Sequence, residues 1–204
     1  MISLVDTTEA GCDKVMRGMF AARKAVFVDL LGWQVPVLAG RYEVDQFDDQ
    51  HARYLIVTDE ECGHLASARL LPTVRPHILD SLFPALCAGL VPRGPGVFEI
   101  TRFCLDPTIS APRRRDARNR LVTALVDHAL FNGIHAYTGV AESCWLAQIL
   151  RFGWDAAPLG QFESEGGKRL AALSINITAA TPTLLEQTGI WSPTRAASVD
   201  AAFA

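Results

Sequence analysis

The chain has 204 residues, half of them hydrophobic and a fifth charged, with a formal net charge of −3 at neutral pH. This composition suits one globular domain with a sizeable core, and the negative charge argues against a protein whose main task is to bind nucleic acid. No run of about 18 apolar residues predicts a membrane-spanning helix. The acidic first segment, MISLVDTTEAGCDK, lacks the basic region of a signal peptide. We therefore expect a cytoplasmic protein with no membrane and no nucleic-acid partner.

Cysteines and histidines are scattered along the chain. The five cysteines form no CxxC pair, and the five histidines show neither HxxxH nor HxH spacing. We therefore expect free thiols and no metal site.

The first half of the chain predicts mainly strands. Residues 2–5 predict a short strand, and Thr7 or Thr8 is placed to cap an amphipathic helix that leads to Arg23. Further predicted elements are a β-hairpin over 53–58 and 64–71, a short helix over 79–88 and a strand over 97–105.

The second half alternates helices and strands. Prolines 107 and 112 mark a link, after which we expect a helix from 113 to the cap Gly133, a strand over 136–141, a helix over 143–152 closed by Gly153, and a strand over 168–177. This order predicts an α/β fold, a three-layer α/β/α sandwich with a mixed, mostly antiparallel sheet. We expect a single domain over 1–193, followed by a flexible tail over 194–204.

Charged and aromatic residues are spread among apolar neighbours through the first half of the chain. In order they are Arg23, Phe27, Trp33, Glu43, Asp45, Asp48, Arg69, Phe83, Glu99 and Arg102. Buried charge is costly unless it is paired. The pattern therefore predicts a partly buried ion-pair cluster beside an aromatic-lined pocket, although the three aromatic residues would serve equally well as ordinary core.

This set and its spacing resemble the acyl-homoserine-lactone synthases, the autoinducer synthases. The resemblance runs from about Arg23 to Arg102, and more loosely to Asn176. It implies a fold related to the N-acetyltransferases and a reaction between two substrates. The amine of S-adenosylmethionine attacks an acyl thioester, and the resulting amide lactonises as methylthioadenosine leaves. S-adenosylmethionine would be a substrate, so no cofactor is expected.

The resemblance also implies roles for individual residues. The catalytic residues would be Glu99, Arg102 and Asp45, and the S-adenosylmethionine site would comprise Arg23, Phe27, Trp33, Asp45, Phe83, Arg102 and Phe103. Glu43, Asp48 and Arg69 would form a structural ion-pair network.

The charges suggest how these roles divide. Asp45 suits the substrate ammonium, Arg23 or Arg102 suits its carboxylate, and Glu99 is the candidate base, directly or through a water. In a regular strand Glu99 and Arg102 would face opposite sides. Either they do different jobs, or a β-bulge lies between them.

The acyl pocket is expected in the second half of the chain. Its candidate residues are Thr138, Gly139, Val140, Trp145, Leu146, Ile149 and Leu150. A family tendency links a threonine in this strand with 3-oxo acyl chains, and either Thr138 or Gly139 occupies the matching place.

The segment RRRDARNR carries five arginines, Arg113, Arg114, Arg115, Arg118 and Arg120. Acetyltransferases of this fold have glycines here that admit the pyrophosphate of coenzyme A, and arginines replace them. A basic patch on an acidic protein suits docking of an acidic acyl-carrier protein, and a solvated helix start is the alternative. The acyl donor is therefore an acyl-carrier protein or acyl coenzyme A.

Two other functions remain open. One is an N-acetyltransferase of the same fold that uses acetyl coenzyme A and another amine. The other is a non-catalytic binding member. Methylthioadenosine release is expected only from the acyl-homoserine-lactone synthase.

Overall fold

A mixed sheet organises the residues that the computed structural model describes, which are 1–6, 13–165 and 167–193. Its strand order is β1-β4-β5-β6-β7-β10-β8, with β9 paired to β10 beside β8. The strands are β1 (Ile2–Asp6), β4 (Arg53–Thr58), β5 (His64–Pro72), β6 (Val97–Leu105), β7 (Ala136–Glu142), β8 (Asp155–Pro158), β9 (Glu163–Glu165) and β10 (Lys168–Asn176). Strands β2 (Val37–Leu38) and β3 (Tyr42–Glu43) form a separate hairpin.

Helices cover both faces of this sheet. They are α1 (Asp13–Arg23), which continues as a π-helix (Lys24–Leu30), α2 (Ile78–Leu82), α3 (Ala111–Phe131), α4 (Ser143–Ile149) and α5 (Thr181–Gln187). The main core lies where α3, α4 and α5 pack on one face. Met19 of α1 and Leu79 of α2 belong to smaller cores on the opposite face. The predicted three-layer α/β/α sandwich is therefore confirmed.

The sheet opens at its one parallel pair in the described chain, β6 with β7. Their register runs from Val97 opposite Ala136 to Glu99 opposite Thr138 and then stops. Beyond this point the two strands separate, so side chains from both can line a space between them.

A β-bulge follows in β6. Thr101 pairs with Arg69 and Cys104 with Ser67, so β6 contributes one residue more than β5 over this stretch. Arg102 lies inside the bulge with a φ of 51°, a left-handed conformation unusual for a residue with a side chain. The bulge that the sequence left as an alternative is present.

Most predicted elements are found, and some details need correction. Pro112 does not break the chain before α3 but lies in its first turn, where no backbone N–H is required. Gly133 and Gly153 take the positive φ expected of helix caps. The predicted helix over 79–88 is a short α2 followed by a 3₁₀ turn (Pro84–Leu86).

Other features were not predicted, namely the π-helix, the hairpin of β2 and β3, the strands β8 and β9, and α5. The caps Thr7 and Thr8 and the tail 194–204 lie outside the described residues. Within the described part of the chain, no helix is both long and apolar enough to cross a membrane.

Candidate active site

Six charged side chains form a buried cluster between α1, the loop around β3 and the bulge of β6. We call Arg23, Glu43, Asp45, Asp48, Arg69 and Arg102 the charged cluster. The guanidinium of Arg23 binds Asp48 through two parallel hydrogen bonds of 2.8 and 2.9 Å, and its Nε donates to Glu43. Arg23 is completely buried at the end of α1. Glu43, Asp48 and Arg69, the residues expected to form an ion-pair network, lie in this cluster together with Arg23.

Arg69 and Asp45 form a second bidentate pair in this cluster. The two nitrogen–oxygen distances are 2.6 and 3.0 Å, and Arg69 also lies 2.7 Å from Asp48. The Nε of Arg69 donates to the hydroxyl of Thr101, its cross-strand neighbour. Arg69 is thus fixed by three side chains from two parts of the chain, the loop after β3 and strand β6.

Arg102 completes the cluster because the bulge turns its side chain towards these carboxylates. Its Nη2 donates to Glu43 at 2.9 Å and to Asp45 at 2.7 Å. Three arginines thereby face three carboxylates, so the cluster is neutral and its buried charges are compensated.

The ion pairs lower the pKa values of two carboxyl groups in the cluster, as expected for carboxylates beside arginines. Although burial alone would raise it, the pKa of Asp48 is held well below its usual range by the hydrogen bonds from Arg23 and the charge of Arg69. Arg69 lowers the pKa of Asp45 against the same effect of burial. Both groups therefore stay ionised in the folded protein.

Two cavities adjoin the cluster, and residues of both β6 and β7 line each of them. The first, the aromatic cavity, has a volume of about 350 Å³ and includes Phe27, Phe103, Trp145, Phe152 and Trp154 in its wall. The second, the mixed cavity, has a volume of about 390 Å³ and combines apolar groups such as Ile78 and Phe83 with charged ones such as Glu99 and Lys168.

The cavities share a wall, which we call the junction. Its residues are Trp33, Ile100, Thr101, Arg102, Val140 and Glu142. All except Trp33 come from β6 and β7 beyond the point where their pairing stops. Arg102 is the one member of the charged cluster that lines either cavity, because the other five are enclosed by their ion pairs.

Glu99 lies in the wall of the mixed cavity and is fully buried. Its two carboxylate oxygens accept the backbone N–H groups of Ile78 and Leu79, at 2.8 and 3.0 Å. Burial raises its pKa to about 8, although these hydrogen bonds and the charge of Arg69 oppose the rise. A carboxyl group with this pKa exchanges its proton near neutral pH.

Trp33 is held among aromatic and charged groups. Its ring centroid is 4.8 Å from that of Phe27, and the guanidinium carbon of Arg102 lies 5.8 Å from the indole centroid. The indole N–H donates to Glu142 at 3.2 Å, and the ammonium of Lys168 lies 5.2 Å from the ring centroid.

The structure divides the predicted S-adenosylmethionine set. Trp33 and Arg102 line both cavities, Phe83 lines only the mixed cavity, and Phe27 and Phe103 line only the aromatic cavity. Arg23 and Asp45 line neither. Their charged groups are instead engaged by ion pairs within the cluster.

Five of the seven residues predicted for the acyl pocket line the aromatic cavity. Thr138, Gly139, Val140, Trp145 and Ile149 line it. Leu146 is instead buried in the core and Leu150 is partly exposed, and neither is in the wall, because they lie on other sides of α4 and its 3₁₀ extension. The hydroxyl of Thr138 donates to the backbone oxygen of Leu173.

The arginine run divides as well. Arg113 pairs with Asp59, Arg120 with Asp116, and the guanidinium of Arg118 binds Asn119 and lies over Phe152. Arg114 lines the aromatic cavity. Arg115 is exposed. Three of the five arginines are thus engaged within the protein itself.

Sequence reasoning missed Glu142 and Lys168. Glu142 ends β7, Lys168 begins β10, and Leu170 lies opposite Glu142, so the two charges are diagonal neighbours across antiparallel strands. Their only signal was a charge at each strand end, and recognising the pair requires the pairing register.

The described residues favour neither a metal ion nor a cysteine nucleophile at the site. In the described residues, no group of three or more His, Cys, Asp or Glu side chains could hold a metal ion. Burial raises the pKa of the Cys104 thiol to about 12, so it remains protonated and is a poor nucleophile.

The fold places the protein in the class of N-acetyltransferase-like α/β proteins. A solved structure described as an N-acetyltransferase from Lactobacillus plantarum shares this fold with a TM-score of 0.60 at 16% identity, covering 87% of this chain and 98% of its own.

Closer similarities identify the family. The sequence model of the family "Autoinducer synthase" matches residues 8–183. An acyl-homoserine-lactone synthase from Ralstonia nicotianae is 34% identical over 166 residues, which is 78% of this chain and 80% of the relative. The chain therefore belongs to the autoinducer synthase family and is an acyl-homoserine-lactone synthase, an acyltransferase of quorum sensing. The N-acetyltransferase alternative is not favoured.

Two solved structures of the family superpose over most of the chain. MesI, a coenzyme A-dependent acyl-homoserine lactone synthase, is 29% identical with a TM-score of 0.79, covering 92% of this chain and 93% of its own. BjaI, also coenzyme A-dependent and solved with SAM and isopentyl-CoA, is 25% identical with a TM-score of 0.81, covering 94% and 90%.

Proposed function

We propose that the two cavities hold the two substrates of one acyl transfer, with S-adenosylmethionine in the mixed cavity and the acyl chain in the aromatic cavity. The observation that carries this proposal is the junction, where six residues line both cavities and two occupants would meet. BjaI, solved with SAM and isopentyl-CoA, supports the two ligand types.

Arg102 is the proposed partner of the substrate carboxylate. Its Nε and Nη2 are held by the charged cluster, whereas its Nη1 makes no hydrogen bond to the described residues. A guanidinium fixed on one side presents its free side in a defined direction, which suits carboxylate recognition.

Trp33 and Phe83 are the proposed aromatic wall for S-adenosylmethionine. Two cations, Arg102 and Lys168, already lie near the Trp33 ring. A third cation would be repelled there, so Trp33 is better suited to the adenine ring than to the sulfonium.

Glu99 is the proposed general base for the attacking amine, directly or through a water. Each of its oxygens accepts one backbone N–H, which leaves lone pairs for a substrate proton. A pKa of about 8 is close to that of an α-amino group, the match at which proton transfer is efficient.

The acyl donor is proposed to approach from the N-terminus of α3. Arg114 lies in the wall of the aromatic cavity there and Arg115 is exposed beside it, so both suit the phosphate of a phosphopantetheine arm or an acidic carrier surface. Both an acyl-carrier protein and acyl coenzyme A remain candidate donors.

The remaining assignments follow from composition. We propose that the protein works in the cytoplasm, without a cofactor and without nucleic acid or membrane as partner. The net charge of −3 and the free cysteines support this setting.

One incubation tests the proposal. The purified protein is mixed with S-adenosylmethionine and a series of acyl thioesters, and methylthioadenosine and lactones are measured by mass spectrometry. We expect both products in equal amounts. Acylation of an amine without methylthioadenosine would contradict the proposal.

A further inference from the structure

Lys168 contacts three groups beside the junction, two of them side chains of junction residues. Its ammonium lies 3.0 Å from Oε1 of Glu142, donates to the backbone oxygen of Leu31 at 3.0 Å, and lies over the indole of Trp33. The same Oε1 of Glu142 accepts the indole N–H of Trp33. Two charged residues from β7 and β10 therefore hold one aromatic side chain that lies more than a hundred positions away in sequence.

Local structure fixes the backbone of this segment but not the indole. The N–H groups of Leu31, Gly32 and Trp33 bond to carbonyls of the π-helix. Leu31 is 40% exposed, and no atom lies within 4 Å of where a side chain at Gly32 would begin, so the surroundings are open. The orientation of the indole thus depends on Phe27, on Arg102 and on the two charged residues.

Stability alone does not explain this ion pair. The side chains of Lys168 and Glu142 are 34% and 26% exposed, and pairs at such sites contribute little to the free energy of unfolding. Both residues nevertheless line the mixed cavity, and Glu142 lines the aromatic cavity as well. The pair lies where it can determine the shape of the shared wall.

We propose that Glu142 and Lys168 are positioning residues that hold the Trp33 indole in the wall between the two substrate cavities. This inference rests on the proposed function, because it takes the mixed cavity to be the S-adenosylmethionine site. The pair acts through Trp33 rather than by contact with the substrate.

The test measures S-adenosylmethionine affinity by calorimetry in Lys168→Met and Glu142→Leu. We expect the Kd to rise about five- to tenfold in each, while the thermal midpoint changes little. Lys168→Arg should restore affinity, since a guanidinium also donates to a carboxylate and lies over an indole. Lys24→Met is the matched control, because Lys24 pairs with Asp29 on the neighbouring π-helix and lines neither cavity.

A double mutant separates positioning from direct contact. In a Trp33→Ala background, Lys168→Met should cause no further loss of affinity, because the indole it holds is gone. A further loss of the same size would overturn the inference in favour of direct contact. An unchanged Kd in the Lys168→Met and Glu142→Leu proteins would also overturn it.

The proposed function has its own outcome in the same experiment. If the wild-type protein binds S-adenosylmethionine and Trp33→Ala weakens that binding, the substrate assignment stands whatever the Lys168 variants do. If the wild type does not bind S-adenosylmethionine, the substrate assignment and the positioning role are both wrong.

Discussion

The charged cluster and the junction adjoin at Arg102 but are built in opposite ways. In the cluster, three arginines and three carboxylates satisfy one another, and no side chain is more than 10% exposed. At the junction, the side chain of Glu142 is 26% exposed, and its partner Lys168 in the mixed cavity is 34% exposed. The Nη1 of Arg102 also makes no hydrogen bond among the described residues.

This difference separates support from recognition. A group already neutralised by buried partners gains little from a substrate and mainly fixes its neighbours. A group with a free donor or acceptor in a cavity can exchange water for substrate. Residues that bind substrate are therefore better identified by the donors and acceptors they leave unpaired than by their charge alone.

Breaking the cluster should have the largest effect on stability. Asp48→Asn removes one negative charge that both Arg23 and Arg69 contact, leaving buried positive charge uncompensated. We expect the free energy of unfolding to fall by about 3–5 kcal/mol, measured by urea denaturation. Asp13→Asn is the control, since its ion pair with Arg17 is largely exposed and should contribute little. Equal losses in the two variants would show that the cluster is not structural.

The fold was predictable as far as periodicity reached. Strand alternation and helical stripes predicted β4 to β7, β10 and α3, because these elements are long enough to show their period. Strands β8 and β9 have four and three residues, too few for a pattern. The π-helix was missed because apolar spacing does not distinguish it from a continuing α-helix.

The site was predictable in its residue types but not in its division of labour. The sequence identified the six charged residues of the cluster, yet nothing in it placed Arg102 in the cavity wall and Asp45 behind it. That distinction depends on one extra residue in β6, and the pair of Glu142 and Lys168 depends on the register of β7 with β10. Both are properties of strand pairing, which cannot be inferred from a single sequence.

Glu99→Gln tests whether this buried carboxyl group serves only to hold the structure or acts as the general base. We expect amide formation to fall by about 10²-fold or more while the protein stays folded. The rise of wild-type kcat/KM with pH, controlled by a group with a pKa of about 8, should disappear in the variant. Near-normal turnover by folded Glu99→Gln would assign Glu99 to the capping of α2.

The free energy of unfolding should also depend on pH through the raised pKa of Glu99, and the direction of that dependence is fixed. The pKa of Glu99 is raised from its ordinary value of 4.5 to about 8, so the folded state holds its proton more tightly than the unfolded state. Its contribution to stability is therefore full below about pH 4.5 and is lost as pH rises through about 8. Unfolding measured across this range should show this loss in the wild type and not in Glu99→Gln.

Gly139→Ala sharpens the comparison at the aromatic cavity. A Cβ there would lie 2.9 Å from the backbone oxygen of Ile100. To make room for it, β6 and β7 would have to move further apart just beyond their last paired residues. We expect a loss of about 1–3 kcal/mol in unfolding free energy and a lower kcat/KM that depends on acyl chain length. Gly18→Ala in α1 is the control, because no atom lies within 4 Å of its added Cβ. It should be neutral or slightly stabilising.

The smallest effect is expected at the N-terminus of α3, where some arginines are paired within the protein and others are not. Arg114 lines the aromatic cavity and Arg115 is exposed, whereas Arg113 and Arg120 pair with carboxylates of the protein. Changing Arg114 and Arg115 together to Ala should raise the KM for the acyl donor about three- to tenfold and flatten its salt dependence. The matched control is the Arg113→Ala and Arg120→Ala pair, which removes the same charge but should leave the donor KM nearly unchanged.

The choice of donor decides how that result is read. If the KM for an acyl-carrier protein rises and that for acyl coenzyme A does not, Arg114 and Arg115 recognise the carrier surface. If both rise together, the two arginines bind the phosphate that the donors share, since each carries the acyl group on a phosphopantetheine arm. If the Arg113→Ala and Arg120→Ala pair raises the KM for either donor more, arginines that are paired within the protein also bind the donor. The contrast between paired and unpaired charged groups would then fail at this surface.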